Sequence, residues 1–145
     1  MIYTEITKLA LRICFEAHKE QTDKSGLPYV FHPFHLAEQM TSEYACVCAL
    51  LHDVMEDTPT TREDLERAGI PKECTDVLAL LTHAPDVPYM DYVKALSENK
   101  IAREVKIADL RHNSDLSRLS TVDERALARV EKYKIALDYL LTIGE

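Results

Sequence analysis

The segment LLHDVMEDT, residues 50–58, carries four titratable side chains, His52, Asp53, Glu56 and Asp57, within six positions of an otherwise apolar run. Imidazoles and carboxylates at that density either form a solvated face or hold something. With His52 set at zero and about 100° per helical residue, Asp53 falls near 100°, Glu56 near 40° and Asp57 near 140°, and Val47, Leu51 and Val54 lie on the other side. The four therefore share one face of a helix expected over 43–55; if that helix frays at Met55, Glu56 and Asp57 move to the following turn but stay near the same pocket mouth. In VKIADLRHNSD the same spacing puts Asp109 and Asn113 one turn apart, able to converge on one ligand. Taken alone, either helix reads more simply as a solvated face. Both faces, however, arise in apolar segments, CVCALLHDV and VKIADL, whose other residues belong inside, and a buried carboxylate needs a cation or a hydrogen-bond network.

A divalent metal held by His32, His52, Asp53 and Asp109 would satisfy both. Mixed imidazole and carboxylate ligands suit Mn, Fe or Zn better than a purely oxygen-seeking ion. Four protein ligands on a six-coordinate ion leave positions for water and substrate, and such an ion acidifies water and polarises a phosphoryl oxygen.

The elements that must position these groups read as helices throughout. Over 4–20, Ile6, Leu9, Ala10, Ile13, Cys14 and Ala17 form one apolar stripe at helical spacing. The loop TDKSGLPYVFHP delivers His32 just before Pro33, which opens a short helix at 33–40, since proline is tolerated in a first turn. Thr60 or Thr61 caps TTREDLERAG, with Glu63 and Asp64 placed for a capping box and Gly69 for the stop. Pro71 opens PKECTDVLALLTH, the loop HAPDVP leads to a helix at 88–98, and Asn99 separates that from KIAREVKIADLRHN. In the last helix Thr121 and Glu124 read as a capping box and Gly144 as the stop. Strand-like alternation is nowhere sustained. We expect an all-α fold of seven or eight helices in a single domain over 1–145.

The totals narrow the function classes. A 145-residue chain that is 46% hydrophobic and 29% charged, with no Trp and only 3 Gly, can bury one substantial core. A net charge of -8 and a pI near 5.2 argue against nucleic acid or anionic membrane as partner, because both require a broad positive field. A small anionic ligand stays open if a metal or local cations receive it. The N-terminal stretch lacks the pattern of a signal peptide, and no run approaches the roughly 18 apolar residues of a membrane span, so a cytoplasmic protein is expected. Cys14, Cys46, Cys48 and Cys74 show no CxxC pairing and read as small hydrophobes in a reducing compartment.

His32, the doublet His52-Asp53 and Asp109 match the H…HD…D pattern of HD-domain phosphohydrolases. More narrowly, AHKEQTDKSGLPYVFHP, LLHDVMEDTPTT and VKIADLRHN resemble, in order and across essentially the whole chain, three motifs of the hydrolase domain of RelA/SpoT homologs. The resemblance implies an HD-type helical fold and a stand-alone small alarmone hydrolase that removes the 3′-diphosphate of (p)ppGpp, with pyrophosphate and GDP or GTP as products. It implies His32, His52, Asp53 and Asp109 as ligands, usually of Mn²⁺. Glu56 and Asp57 match the family's water-positioning acidic doublet, with Glu56 the preferred general base. Asn113 matches a nucleotide-contacting Asn, Lys24 a basic residue of the substrate loop, and Arg129 and Tyr133 a segment near the phosphates.

The chain departs from the family pattern at Asp23, where the family carries an Arg expected to pack on guanine, and at Glu20, where Gly is common. Phosphohydrolysis is thus implied more firmly than guanine. The alternatives are an HD phosphohydrolase for another nucleotide, such as an adenine alarmone or a 2′- or 3′-phosphorylated dinucleotide, and a metal-bound nucleotide sensor without turnover, against which the intact Glu56-Asp57 doublet speaks. Among the remaining polar residues, His18 and His35 read either as orienting groups or as structural histidines, and His83 as exposed. His112 points about 100° away from Asn113 and is left out of the metal set. Lys106 and Arg111 read as solvated helix charges. Exposed helix faces could pair subunits, but no pattern selects one.

Overall fold

Thr4 opens the first helix by a reciprocal cap: its hydroxyl accepts the Thr7 N–H at 3.2 Å while the Thr7 hydroxyl accepts the Thr4 N–H at 2.7 Å. Helix α1 follows, Glu5–His18, in a computed structural model that describes residues 1–143. Its buried line is Thr7, Ala10, Cys14 and His18. The expected stripe is thus rotated by about one position, with Ile6, Leu9, Ile13 and Ala17 half-buried along its edge.

Helix α2, Phe31–Glu38, starts two residues before the expected 33. His32 therefore sits inside the first helical turn, and Pro33 sits where an N–H would have no helical partner anyway. Helix α3, Glu43–Leu51, is capped by the Ser42 hydroxyl, and every residue from Ala45 to Leu51 is buried. A helix that is apolar all round belongs at the centre, and α1, α2, α6 (Lys72–Leu81) and α8 (Lys100–Asn113) pack around it.

The all-α expectation holds, with one isolated bridge between Thr22 and Pro28 and no strand among the described residues. One difference bears on the site. The helix expected over 43–55 is two helices: α3 ends at Leu51, and a single turn, α4, spans Val54–Asp57. At the break Asp53 has φ -106 and ψ 0, the sparsely populated bridge region where active-site residues often sit.

Helix α5, Arg62–Ala68, is capped by Thr61 with Asp64 as its reciprocal partner, and ends at Gly69 with φ 116. Helix α7 spans Tyr89–Leu96, and the Asn99 side chain caps α8. A 3-10 turn, Leu116–Arg118, leads to α9, Glu124–Ile143. There the Asp123 carboxylate, rather than Thr121 with Glu124, accepts the Ala126 N–H at 2.8 Å; Gly144, the expected stop, lies outside the described residues. None of the described helices is long and apolar enough to cross a membrane.

Candidate metal centre and its two cavities

The end of α3, the first turn of α2 and the middle of α8 meet at one point. His32 Nε2 lies 2.9 Å from Asp109 Oδ1, and His52 Nε2 lies 3.1 Å from Asp53 Oδ2 and 3.6 Å from Asp109 Oδ1. His52 is the C-cap of α3 and Asp53 the N-cap of α4, so the pair stands at the turn between the two helices. Ligand atoms of His32, His52 and Asp109 all fall within 4.8 Å of one another, as do those of Asp53, Glu56 and Asp57.

The donor chemistry fits a divalent cation. His52 Nδ1 donates to the Ala49 carbonyl at 2.8 Å, which leaves Nε2 of the neutral imidazole as a lone pair. That atom is buried with no hydrogen-bond partner among the described residues, facing two carboxylate oxygens. A lone pair turned toward two anions is repulsive unless a positive charge sits between them. Without a metal the proton plays that part: burial opposes the charge, but Asp53 and Asp109 outweigh it and raise His52 well above the usual imidazole range. Burial likewise opposes the charge of Asp53, yet His52 holds it down at about 2. Asp109 is held well below the carboxylate range by Lys106, His32 and His52, again against burial. Tyr29, from the loop between α1 and α2, donates its hydroxyl proton to Asp53 Oδ2.

Glu56 and Asp57 project from α4 beside this cluster. Glu56 Oε1 accepts the His83 backbone N–H at 2.7 Å, and the Asp57 carbonyl accepts the Gln21 side chain at 3.1 Å, so α4 is tied down from both sides. Burial, with Asp53 and Glu56 nearby, pushes Asp57 up to about 6.

Two cavities open on the cluster. The smaller, about 260 Å³, is lined by His52, Glu56, His83, Tyr89, Lys106 and Lys132 among others. The larger, about 550 Å³, is lined by Lys24, His32, Arg118, Leu119, Arg129 and Val130 among others. Asp57, Asn113 and Tyr133 line both, so the cavities are neighbours that adjoin at these three residues. All four expected substrate residues, Lys24, Asn113, Arg129 and Tyr133, border the larger one.

With this geometry on the page, the chain can be set beside known proteins. No family model matches it. MESH1 of Danio rerio, a guanosine-3′,5′-bis(diphosphate) 3′-pyrophosphohydrolase, is 32% identical over 133 residues that cover 81% of this chain and 72% of the relative. The chain belongs to this pyrophosphohydrolase family. The bifunctional (p)ppGpp synthase/hydrolase SpoT of Escherichia coli K12 is 31% identical over 136 residues, covering 83% of this chain; the match spans 19% of SpoT's length. The fold agrees with that of a solved structure described as a metazoan ortholog of SpoT that hydrolyzes ppGpp, with a TM-score of 0.71 at 22% identity over 98% of this chain and 97% of the other.

In this family member three residues matter more than the sequence suggested. His112, excluded from the metal set on helical phase, is 2.7 Å from His32 through their Nδ1 atoms, with nearly parallel rings. Burial and the Arg118 charge lower His112 to about 4, so it is neutral and can accept the His32 Nδ1 proton, a tautomer that would offer the His32 Nε2 lone pair to a cation beside Asp109. Lys106 is not a solvated charge: its side chain is 13% exposed and its Nζ donates to Asp109 Oδ2 at 2.9 Å. His83 is half-buried rather than exposed, bonded through Nε2 to the Val87 carbonyl and stacked on Tyr92. A lysine three positions before an expected ligand was the one available clue, since i and i+3 share a helix face.

The other readings divide. His18 is buried, its Nδ1 2.7 Å from Gln21 Oε1, beside Tyr29 rather than at the ligands. His35 is exposed and packs on His112, and Arg111 is exposed as expected. All four cysteines are buried and free; burial pushes the Cys14 thiol up to about 12, which makes it unreactive. Asp23 accepts the Ser25 and Leu27 N–H groups at 2.8 and 3.0 Å, folding the loop between α1 and α2, and sits 3.9 Å from Arg118.

Proposed function

We propose that this protein, as one domain over 1–145, hydrolyses the 3′-diphosphate of (p)ppGpp, releasing pyrophosphate and GDP or GTP. The observation that carries the reading is His52 Nε2, without a hydrogen-bond partner among the described residues and facing Asp53 and Asp109, in a member of the pyrophosphohydrolase family. His32, His52, Asp53 and Asp109 would hold a divalent ion, with Mn²⁺ our assignment. Such an ion supplies Lewis-acid stabilisation of phosphoryl charge and makes water more acidic.

The chain's own groups divide by cavity. The nucleoside occupies the larger cavity, where the apolar Leu119 and Val130 and the cations Lys24 and Arg129 form the walls. The 3′ phosphorus sits at the junction, within reach of Asn113 and Tyr133. Glu56 borders only the smaller cavity, on the far side from the nucleoside, which suits in-line attack. Glu56, oriented by the His83 N–H, holds the water and takes its proton as the new P–O bond forms and the bond to the ribose 3′ oxygen breaks. Asp57, at the junction and raised to about 6 by burial, stands beside the departing ribose 3′ oxygen and passes it the proton with which it leaves as a hydroxyl. A net charge of -8 favours a small nucleotide over nucleic acid as partner, and four free buried cysteines fit a reducing, cytoplasmic setting.

Asp23 and Arg118 on the nucleoside wall keep a second reading in view, the same reaction on a different base. Incubating metal-loaded protein with guanine and adenine 3′-diphosphate nucleotides and following pyrophosphate release tests both. Turnover of the guanine compound supports the first reading, turnover of the adenine compound alone supports the second, and no turnover of either rejects hydrolysis of this substrate class.

A further inference from the structure

One wall of the larger cavity is stapled together by bonds that leave an oxygen of Asp23 unused. Asp23 Oδ1 accepts both the Ser25 and the Leu27 N–H. The Ser25 hydroxyl donates to the Arg118 carbonyl at 2.7 Å and accepts the Ser120 N–H at 3.3 Å, which ties the loop between α1 and α2 to the 3-10 turn. Arg118 Nη1 donates to the His112 carbonyl at 2.8 Å, while Nη2 stands 3.9 Å from Asp23 Oδ2, beyond hydrogen-bond reach. Asp23 Oδ2 and Arg118 Nη2 therefore lie side by side, and neither makes a hydrogen bond among the described residues. Both residues are half-buried and line the cavity. Asp115 borders it too, but that residue is exposed and its Oδ1 is spent on the Ser117 amide and hydroxyl.

A carboxylate oxygen beside a guanidinium, on a cavity where Leu119 and Val130 offer apolar surface to the faces of a base, can read the base by its edge. We propose that Asp23 selects guanine: its Oδ2 accepts the N1–H and the 2-amino group while Arg118 donates to O6. The inference rests on the hydrolase reading above and deepens it by deciding between its two bases. The lone pairs of Oδ1 are committed to the loop, and the two on Oδ2 remain. Guanine presents two adjacent donors and one acceptor along its Watson–Crick edge, and makes three bonds with this pair. Adenine, turned to set its 6-amino group on Oδ2 and its N1 on Arg118, makes two. Hypoxanthine, which lacks only the 2-amino group of guanine, also makes two. Hydrogen bonds to a charged acceptor are the strong ones, and a site built to make them rejects the base that lacks the group.

Asp23→Asn tests this with the loop intact. The Ser25 and Leu27 donors keep the amide oxygen at the Oδ1 position, so the amide nitrogen replaces Oδ2 and an acceptor becomes a donor. Calorimetric titration of guanosine, inosine and adenosine 5′-diphosphates into metal-loaded protein freed of excess ion reads the base without turnover. The parent should bind the guanosine compound about tenfold more tightly than either of the others. In Asp23→Asn the gap between guanosine and inosine should close or reverse. A merely structural role would weaken all three alike and leave that gap standing, a result that overturns the proposal, as does equal or absent binding by the parent. Steady-state rates on the matching 3′-diphosphate nucleotides should show the same gap in kcat/KM. If the parent cleaves none of the three, the hydrolase reading fails, while the titrations still decide the base.

Discussion

His52 and Ala49 are joined by a 2.8 Å bond from the imidazole Nδ1 to the backbone carbonyl, and that bond decides which nitrogen faces Asp53 and Asp109. The carbonyl is free to accept because α3 ends at Leu51, which leaves the last carbonyls of the helix without intrahelical donors. The helix break thus supplies the partner that fixes the His52 tautomer.

His32 is oriented in a parallel way by His112. Losing a partner that orients a metal-ligating imidazole costs roughly 10- to 100-fold in metal affinity. His112→Ala should show that loss in competition with a chelating indicator, with His112→Asn recovering part of it through its side-chain oxygen. Unaltered affinity in His112→Ala would remove His112 from this role.

Ligand and base should separate on mutation. Asp53→Ala is expected to abolish stoichiometric metal binding, since it removes one of the two carboxylates facing His52 Nε2. Glu56→Gln should keep the metal and lower kcat by about 10²- to 10⁴-fold, the range for a general base. Metal content by atomic emission and single-turnover rates distinguish the two, and a fully active Glu56→Gln would take the base role from Glu56.

Removing the ion should destabilise the fold. At a free ion concentration of 100 times Kd the linkage is worth about 2.7 kcal/mol, which for a chain of this size corresponds to a melting temperature roughly 5–10 °C higher. Scanning calorimetry with Mn²⁺ and with excess chelator measures the difference. Asp53→Ala should show no such response.

Asp57 adds a pH dependence to the metal-free protein. Its folded pKa, raised to about 6 by burial and by Asp53 and Glu56, exceeds an unfolded value near ~3.9. The folded state therefore binds the proton more tightly, so the associated stability is full below the unfolded pKa and is lost as pH rises through the folded one. Asp57→Asn escapes that loss. In chelator, its melting temperature relative to the parent should climb from pH 5 to pH 7.5; a flat or falling difference would contradict the assignment.

Much of the site could be read from residue types alone. His52-Asp53 and Asp109 stood out because apolar segments carried charges with no local partner, and the Thr61–Asp64 cap and the Gly69 stop follow from chemistry within one helical turn. What escaped depends on contacts across the chain. His112 meets His32 across 80 positions, and Glu56 meets the His83 backbone across 27; no spacing rule within one helix encodes either. The α3–α4 break escaped for a different reason. His52, Asp53 and Val54 carry no Gly or Pro, so nothing in their propensities signals an interruption, and packing imposes it.

The pairing of His32 with Asp109 spans 77 positions, and it bears on the order in which the chain assembles. Helices α1, α2 and α3 are near neighbours in sequence and pack extensively on one another, so they can dock while α8 is still free, since loop-closure entropy must be spent before distant contacts return it. Contacts made after the rate-limiting step slow escape from the native state without hastening arrival. Weakening the pairing, as in Asp109→Asn, should accelerate unfolding in stopped-flow experiments and leave the refolding rate nearly unchanged. The residues gathered for chemistry would then also set how long each folded molecule persists.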